Sequence, residues 1–197
     1  MHTRHRTNPG SAHRSPLGSV DGVTFHLMRH GEEHLIRSVV EASSPASRFQ
    51  RFHTPVPVVP ARLVSALSRV APGEREIVVA LLRGRAVGQA EWTRTEDPYP
   101  RAEIAALVAD AHQGHGIGRA LVARVAERAW AAGLREAVLY VRPENQRVRQ
   151  ALGRRGATTV ADTCVLPLRA LRPHPVVRWE GAVPRPRTSD GHLCARD

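Results

Sequence analysis

Hydrophobic and polar positions follow two different periods along the middle of this chain. Residues 23–28 alternate in the manner typical of a strand, whereas Leu35, Val39 and Ala42 recur at helical spacing within residues 32–42. The same patterns predict a helix over 60–70, strands over 77–82, 86–93, 102–109 and 137–141, helices over 115–132 and 145–154, and a strand over 158–166. The order β-α-α-β-β-β-α-β-α-β indicates an α/β or α+β domain, a single layer of sheet with helices on its faces.

Turn-forming residues mark where several of these segments end. Ser43-Ser44-Pro45 ends the first helix, and the short basic segment 48–52 that follows is assigned no element. Arg83-Gly84-Arg85 joins two strands into a hairpin. Gly133 stands where a helix C-terminal glycine belongs, and Asn145 can cap the next helix.

The chain of 197 residues is long enough for one domain with tails. We expect a disordered basic arm over 1–19, a domain over 20–170 and a Pro/Arg-rich tail over 171–197. No apolar run approaches the roughly 18 residues of a membrane span, so no membrane partner is expected. The N-terminus is basic and lacks the apolar centre of a secretory signal. The expected location is therefore cytoplasmic.

The formal net charge of +11 arises from 29 basic residues, all of them arginine. A nucleic-acid partner is nevertheless disfavoured, because the arginines are spread over the chain and aromatic residues make up only 4% of it. The absence of lysine excludes a Walker A loop and Schiff-base chemistry. Two cysteines, Cys164 and Cys194, form neither a disulfide framework nor a zinc site, so no metal is expected.

The most informative segment is Gln113-Gly114-His115-Gly116-Ile117-Gly118, which lies between a predicted strand and a long helix. Glycines allow a ligand to lie on the backbone, and the start of a helix presents unpaired N–H groups and its positive dipole end. This arrangement is typical of a phosphate-binding loop. The spacing departs from the dinucleotide fingerprint G-x-G-x-x-G, and a tight turn that binds nothing is the alternative at this level.

The segment matches the Q/R-x-x-G-x-G/A signature and resembles the GCN5-related N-acetyltransferases (GNAT) over about residues 23–168. The resemblance implies a central, mostly antiparallel sheet with a V-shaped splay between two parallel strands, helices on both faces, and acetyl-CoA as co-substrate. Asn145 is alternatively a simple helix cap, and Arg119 a solvated surface arginine. The cofactor-binding residues that the resemblance implies are Val108, Ala109, Asp110, Gln113, Gly114, His115, Gly116, Ile117, Gly118, Arg119, Ala120 and Asn145.

Residues 43–57 and 102–110 further resemble the acetyltransferase module of the bacterial protein-lysine acetyltransferases, which modify acyl-CoA synthetases. A strand glutamate acts as general base in that group, and the matching residue here is Glu103. A base is needed because an amine near neutral pH is mostly protonated. The alternative is a carboxylate paired with Arg101 or Arg94. Glu91 and Glu96 are weaker candidates.

The expected activity is transfer of the acetyl group of acetyl-CoA to a primary amine, foremost a lysine of a protein such as an acyl-CoA synthetase. A small amine as acceptor and a non-catalytic acyl-CoA sensor are the alternatives. Many relatives use a tyrosine on the helix after the asparagine as general acid, but residues 145–156 contain none. Tyr140, on the preceding strand, is expected to be structural.

Overall fold

The structure is a computed structural model that describes residue 20, residues 22–96 and residues 99–172. The predicted arm over 1–19, Cys194 and all of the predicted tail beyond residue 172 lie outside the described residues. The elements of the described chain are β1 (Val23–Leu27), α1 (Glu33–Glu41), α2 (Pro45–Phe52), α3 (Ala61–Leu67), β2 (Arg75–Leu82), β3 (Arg85–Arg94), β4 (Ala102–Val108), α4 (Ile117–Ala131), β5 (Glu136–Tyr140), α5 (Gln146–Gly153), β6 (Thr158–Val160) and β7 (Thr163–Pro167).

The seven strands form one sheet in the order β1-β2-β3-β4-β5-β7-β6. Every neighbouring pair is antiparallel except β4 and β5. These two pair in parallel only at Ala102–Ala137 and Glu103–Val138, and beyond these residues they no longer pair. We call the space between them the β4–β5 opening. The predicted fold class, including the splay between two parallel strands, is confirmed.

One face of the sheet, the α4 face, packs against the long helix α4. Ile104 of β4 and Leu121 of α4 lie in the same buried cluster, which Leu152 of α5 also joins. The helix approaches the sheet closely at Gly88 of β3, where an added Cβ would lie 3.1 Å from Leu121 Cδ1. Glycine is therefore required at this position by space rather than by backbone conformation.

The opposite face, the α1–α3 face, carries the first three helices. Ile36 and Val39 of α1 pack against Ile77 of β2 and Leu107 of β4 in a second buried cluster. Helix α2 differs from its neighbours because it has no buried residue. Apart from the half-buried Phe52, which packs against the second buried cluster, its position depends on polar contacts.

Two predictions about local structure were wrong. The basic segment 48–52 belongs to α2, which begins because the Ser44 side chain accepts a hydrogen bond from Ser47 N and Pro45 occupies the first turn. The predicted strand over 158–166 is a hairpin of β6 and β7, with Ala161 in the left-handed region at φ 52°. No glycine marks that turn, so its sequence resembles a continuous strand.

The other turn predictions are confirmed. Arg83 and Gly84 have φ values of 48° and 78° between β2 and β3, which suits a tight hairpin. Gly133 follows α4 with φ 91°, as the end of a helix favours. Cys164 lies fully buried in β7.

Candidate active site

The β4–β5 opening directs one backbone N–H toward open space. Ala109 N donates to Val87 O of the β3 side at 2.9 Å. Because successive N–H groups of a strand point in opposite directions, the Val108 N–H points away from β3 toward the β5 side. At that level β4 and β5 no longer pair, so this N–H is directed into the β4–β5 opening.

The glycine loop follows β4 and leads into α4 with its backbone exposed. Gly114 and Gly116 have φ values of 85° and 84°, and Gly116 is the residue that precedes the first turn of α4. A Cβ added to Gly116 would meet nothing within 4 Å. A Cβ on Gly118 would make only an ordinary contact of 3.6 Å with Val108. The loop therefore presents the first N–H groups of α4 on an accessible surface, as binding of a pyrophosphate requires.

The start of α5 lies on the other side of this loop. Arg147 Nη2 is 3.8 Å from the position that a Cβ on Gly114 would occupy. Asn145 Oδ1 accepts a hydrogen bond of 3.4 Å from Val148 N, so the side chain caps α5. The cap was one of the two interpretations of Asn145, and it leaves the side-chain N–H groups for a ligand. Arg147 is a candidate phosphate contact that the sequence reasoning missed.

Asp110 and Gln113 connect the loop to α2. The Asp110 carboxylate accepts hydrogen bonds from Ser44 N at 2.6 Å, Ser44 Oγ at 2.9 Å and Ser47 Oγ at 2.8 Å. Gln113 Nε2 donates to Ser47 Oγ and to Val108 O, each at 3.0 Å. Burial opposes ionisation of Asp110, but the hydrogen bonds from Ser44 and Ser47 outweigh it, and the pKa lies below its ordinary value. We call these four side chains the α2 latch.

The remaining predicted cofactor contacts differ in what they offer a ligand. Both backbone polar groups of Ala109 are used within the protein, by Val87 O and by His112 N. The side chains of Ile117 and Ala120 are buried, so only the backbone groups of these two residues can reach a ligand. His115 and Arg119 are exposed on the outer side of the loop and of the first turn of α4.

Glu103 is an exposed residue at the closed end of the β4–β5 opening. It pairs in register with Thr93 of β3 and Val138 of β5, so its side chain lies on the α1–α3 face. Arg101 pairs with Glu136 and Arg94 with Glu74, so the alternative in which either holds Glu103 is wrong. Within the described chain, the Glu103 carboxylate makes no hydrogen bond or ion pair.

Glu91, by contrast, is engaged in ion pairs that connect elements of the fold. Its side chain is 9% exposed and pairs with both Arg51 of α2 and Arg75 of β2. Arg75 also donates to the Ala66 and Leu67 carbonyls at 3.2 Å. A buried carboxylate bound by two guanidinium groups is unsuited to accept a proton, so Glu91 is not a general base.

Tyr140 is not the structural residue that we expected. It stands two positions beyond Val138, the partner of Glu103, and therefore lies on the same face. It is 49% exposed. Its exposure depends on which helices cover β5, and no local sequence pattern encodes that.

The model of the acetyltransferase (GNAT) family matches residues 36–157. The chain therefore belongs to the GNAT family of acetyltransferases. A search of curated proteins found no match.

Solved structures have the same fold. The GNAT domain of S. lividans PAT has a TM-score of 0.66 at 24% identity, over 73% of this chain and 89% of that chain. A putative acetyltransferase from Salmonella typhimurium with its cofactor acetyl-CoA has a TM-score of 0.59 at 17% identity, over 83% of this chain and 98% of that chain. Spermidine N-acetyltransferase from Vibrio cholerae, in complex with CoA and spermine, has a TM-score of 0.60 at 14% identity, over 76% of this chain and 98% of that chain.

The family and the fold define this chain as an acetyl-CoA-dependent N-acetyltransferase. The exposed glycine loop at the start of α4 suits the pyrophosphate of that co-substrate. Among the described residues, no group of three or more His, Cys, Asp or Glu side chains is placed to hold a metal ion. No helix of the described chain is long and apolar enough to cross a membrane.

Proposed function

We propose that this enzyme transfers the acetyl group of acetyl-CoA to a lysine side chain of a protein, with Glu103 as general base. The observation that carries the proposal is the exposed, unpaired Glu103 carboxylate at the closed end of the β4–β5 opening. Because it is exposed and makes no ion pair within the described chain, this carboxylate is free to accept a proton from an approaching amine. Here it faces the side on which an acceptor has room to approach.

The chemistry assigned to this chain is a direct transfer. When bound, acetyl-CoA supplies an activated acetyl thioester, which the glycine loop would hold by its pyrophosphate. Glu103 takes the proton of the attacking amine, directly or through a water molecule. The Val108 N–H, directed into the β4–β5 opening, would donate to the acetyl oxygen as negative charge develops there. A carbon–nitrogen bond forms and the carbon–sulfur bond breaks, so CoA leaves as the thiolate, which takes a proton from water while Glu103 returns its proton to water.

The surroundings of Glu103 favour a protein over a small polycation. Tyr140 on the same face is 49% exposed and Val160 of β6 is 72% exposed, so the carboxylate borders accessible surface rather than a closed pocket. The chain as a whole carries a formal net charge of +11. A charge of this sign attracts acidic proteins and repels polyamines.

The test presents both acceptor classes to the same enzyme. We expect acetyl-lysine on an acyl-CoA synthetase incubated with acetyl-CoA, detected by mass spectrometry, at a level that the Glu103→Gln variant does not reach. Spermidine serves as the small-amine acceptor. Formation of acetylspermidine without acetyl-lysine would mean that the acceptor is a small amine. CoA binding without any acetylated product would favour the acyl-CoA sensor.

A further inference from the structure

Helix α2 lies across the acceptor side of the β4–β5 opening. Arg51, near its end, reaches Glu91 of β3. The Arg142 guanidinium, which follows β5, lies 4.4 Å from the centroid of the Phe49 ring of α2. The helix therefore contacts both sides of the opening on the face that carries Glu103.

Apart from the half-buried Phe52, which packs against the second buried cluster, polar contacts determine where α2 lies. The helix buries none of its residues, and Arg48 supports it by donating to the carbonyls of Ser43 and Val56 at 2.9 Å. Its N-terminal end is held by Asp110, whose carboxylate receives three hydrogen bonds from Ser44 and Ser47. Contacts of this kind respond to small displacements of their partners, because hydrogen bonds weaken steeply with geometry.

The residues that hold this end of α2 belong to the glycine loop. Asp110 and Gln113 lie within the four residues that precede Gly114, and Ser47 Oγ both donates to Asp110 and accepts from Gln113. Gln113 also binds Val108 O, next to the N–H that is directed into the opening. One continuous set of hydrogen bonds thus joins the cofactor side to the acceptor side.

We propose that Asp110 is a positioning residue that couples binding of coenzyme A at the glycine loop to the position of α2 over the acceptor site. This inference rests on the proposed function, since it takes the loop as the coenzyme A site. When coenzyme A holds the glycine loop in place, the α2 latch also holds helix α2 in place. The side of the acceptor site that α2 forms is then ordered. Asp110 then acts on the acceptor without being a ligand of the cofactor.

Hydrogen exchange of the α2 amides, measured with and without saturating CoA, tests the coupling without an acceptor. In the unaltered protein, CoA should slow exchange over residues 46–52 by about fivefold, the lower end of usual coupling. Asp110→Asn removes the negative charge and one of the two oxygen acceptors, so the α2 latch weakens and the effect of CoA on α2 exchange should shrink toward none. Ser47→Ala should behave alike, and it keeps the test valid if Asp110→Asn does not fold.

Calorimetric titration of CoA on the same samples separates the two proposals. The Kd for CoA should stay within about fivefold across all variants, because the coupling acts equally on both equilibria. Glu33→Gln, an exposed carboxylate of α1, is the matched control and should retain the CoA effect on α2. Loss of CoA affinity in Asp110→Asn would make it a cofactor ligand and overturn the inference. Unchanged α2 exchange in the unaltered protein with CoA bound would also overturn it. Absence of CoA binding in the unaltered protein would instead remove the proposed function.

Discussion

Replacement of Glu91 by alanine tests whether polar contacts hold α2 on the sheet. The change would leave the guanidinium groups of Arg51 and Arg75, whose side chains are only 14% and 21% exposed, without their shared counter-ion. Breaking a buried pair costs about 3–5 kcal/mol. Arg75 keeps its two carbonyl acceptors, so we expect the lower end, about 3 kcal/mol.

At roughly 2–4 °C per kcal/mol for a chain of this size, Tm should fall by about 6–12 °C. Urea or thermal unfolding followed by circular dichroism measures the effect. Glu74→Ala is the matched control, because Glu74 forms a comparable pair with Arg94 at 3.2 Å but is 64% exposed. That variant should lose less than about 1 kcal/mol. Equal effects of the two substitutions would refute the claim that the Glu91 pairs are buried and structural.

Three further predictions concern the cofactor loop and the core. Gly116→Ala forces a side chain into φ 84° and onto the exposed loop, so the Kd for acetyl-CoA in calorimetry should rise about tenfold or more. Gly118→Ala, whose added Cβ makes only ordinary contacts, should bind acetyl-CoA with unchanged affinity. Equal affinities of the two variants would contradict this placement of the site. Asp110 is more acidic in the folded protein, so its stabilisation is complete above the unfolded pKa of about 3.9 and is lost as pH falls through the folded pKa. The Tm difference between the unaltered protein and Asp110→Asn should therefore shrink below about pH 4, and a constant difference would contradict this. Gly88→Ala places a Cβ 3.1 Å from Leu121 and should cost about 1–3 kcal/mol in urea unfolding; a neutral result would mean that α4 can shift away.

Local signals in the sequence identify the cofactor loop because each of them acts within a few residues. Gly114 and Gly116 adopt positive φ values, and the helix that follows begins within one residue of Gly116. A glycine pattern at the end of a strand predicts such a loop directly. The fold follows from the same kind of pattern, since the strand and helix periods of β4, α4 and β5 are long or regular.

What the sequence could not indicate depends on partners far along the chain. Asp110 resembled a cofactor residue, but its hydrogen-bond partner Ser44 is 66 positions away. Helix α2 is short and buries no residue, so it has no apolar period to reveal it. The exposure of Tyr140 depends on which helices cover β5, a property of tertiary packing rather than of local sequence.

The central claim is that Glu103 acts as the general base of acetyl transfer. Steady-state acetyl transfer by Glu103→Gln should have a kcat lower by about 10²–10⁴-fold, the usual contribution of a general base. The Kd for acetyl-CoA should stay unchanged, because Glu103 lies at the closed end of the β4–β5 opening and the glycine loop follows the opposite end of β4. Glu96→Gln tests the weaker candidate, an exposed glutamate beyond the end of β3, and should keep full activity. A Glu103→Gln enzyme that transfers acetyl groups at the unaltered rate would contradict the account.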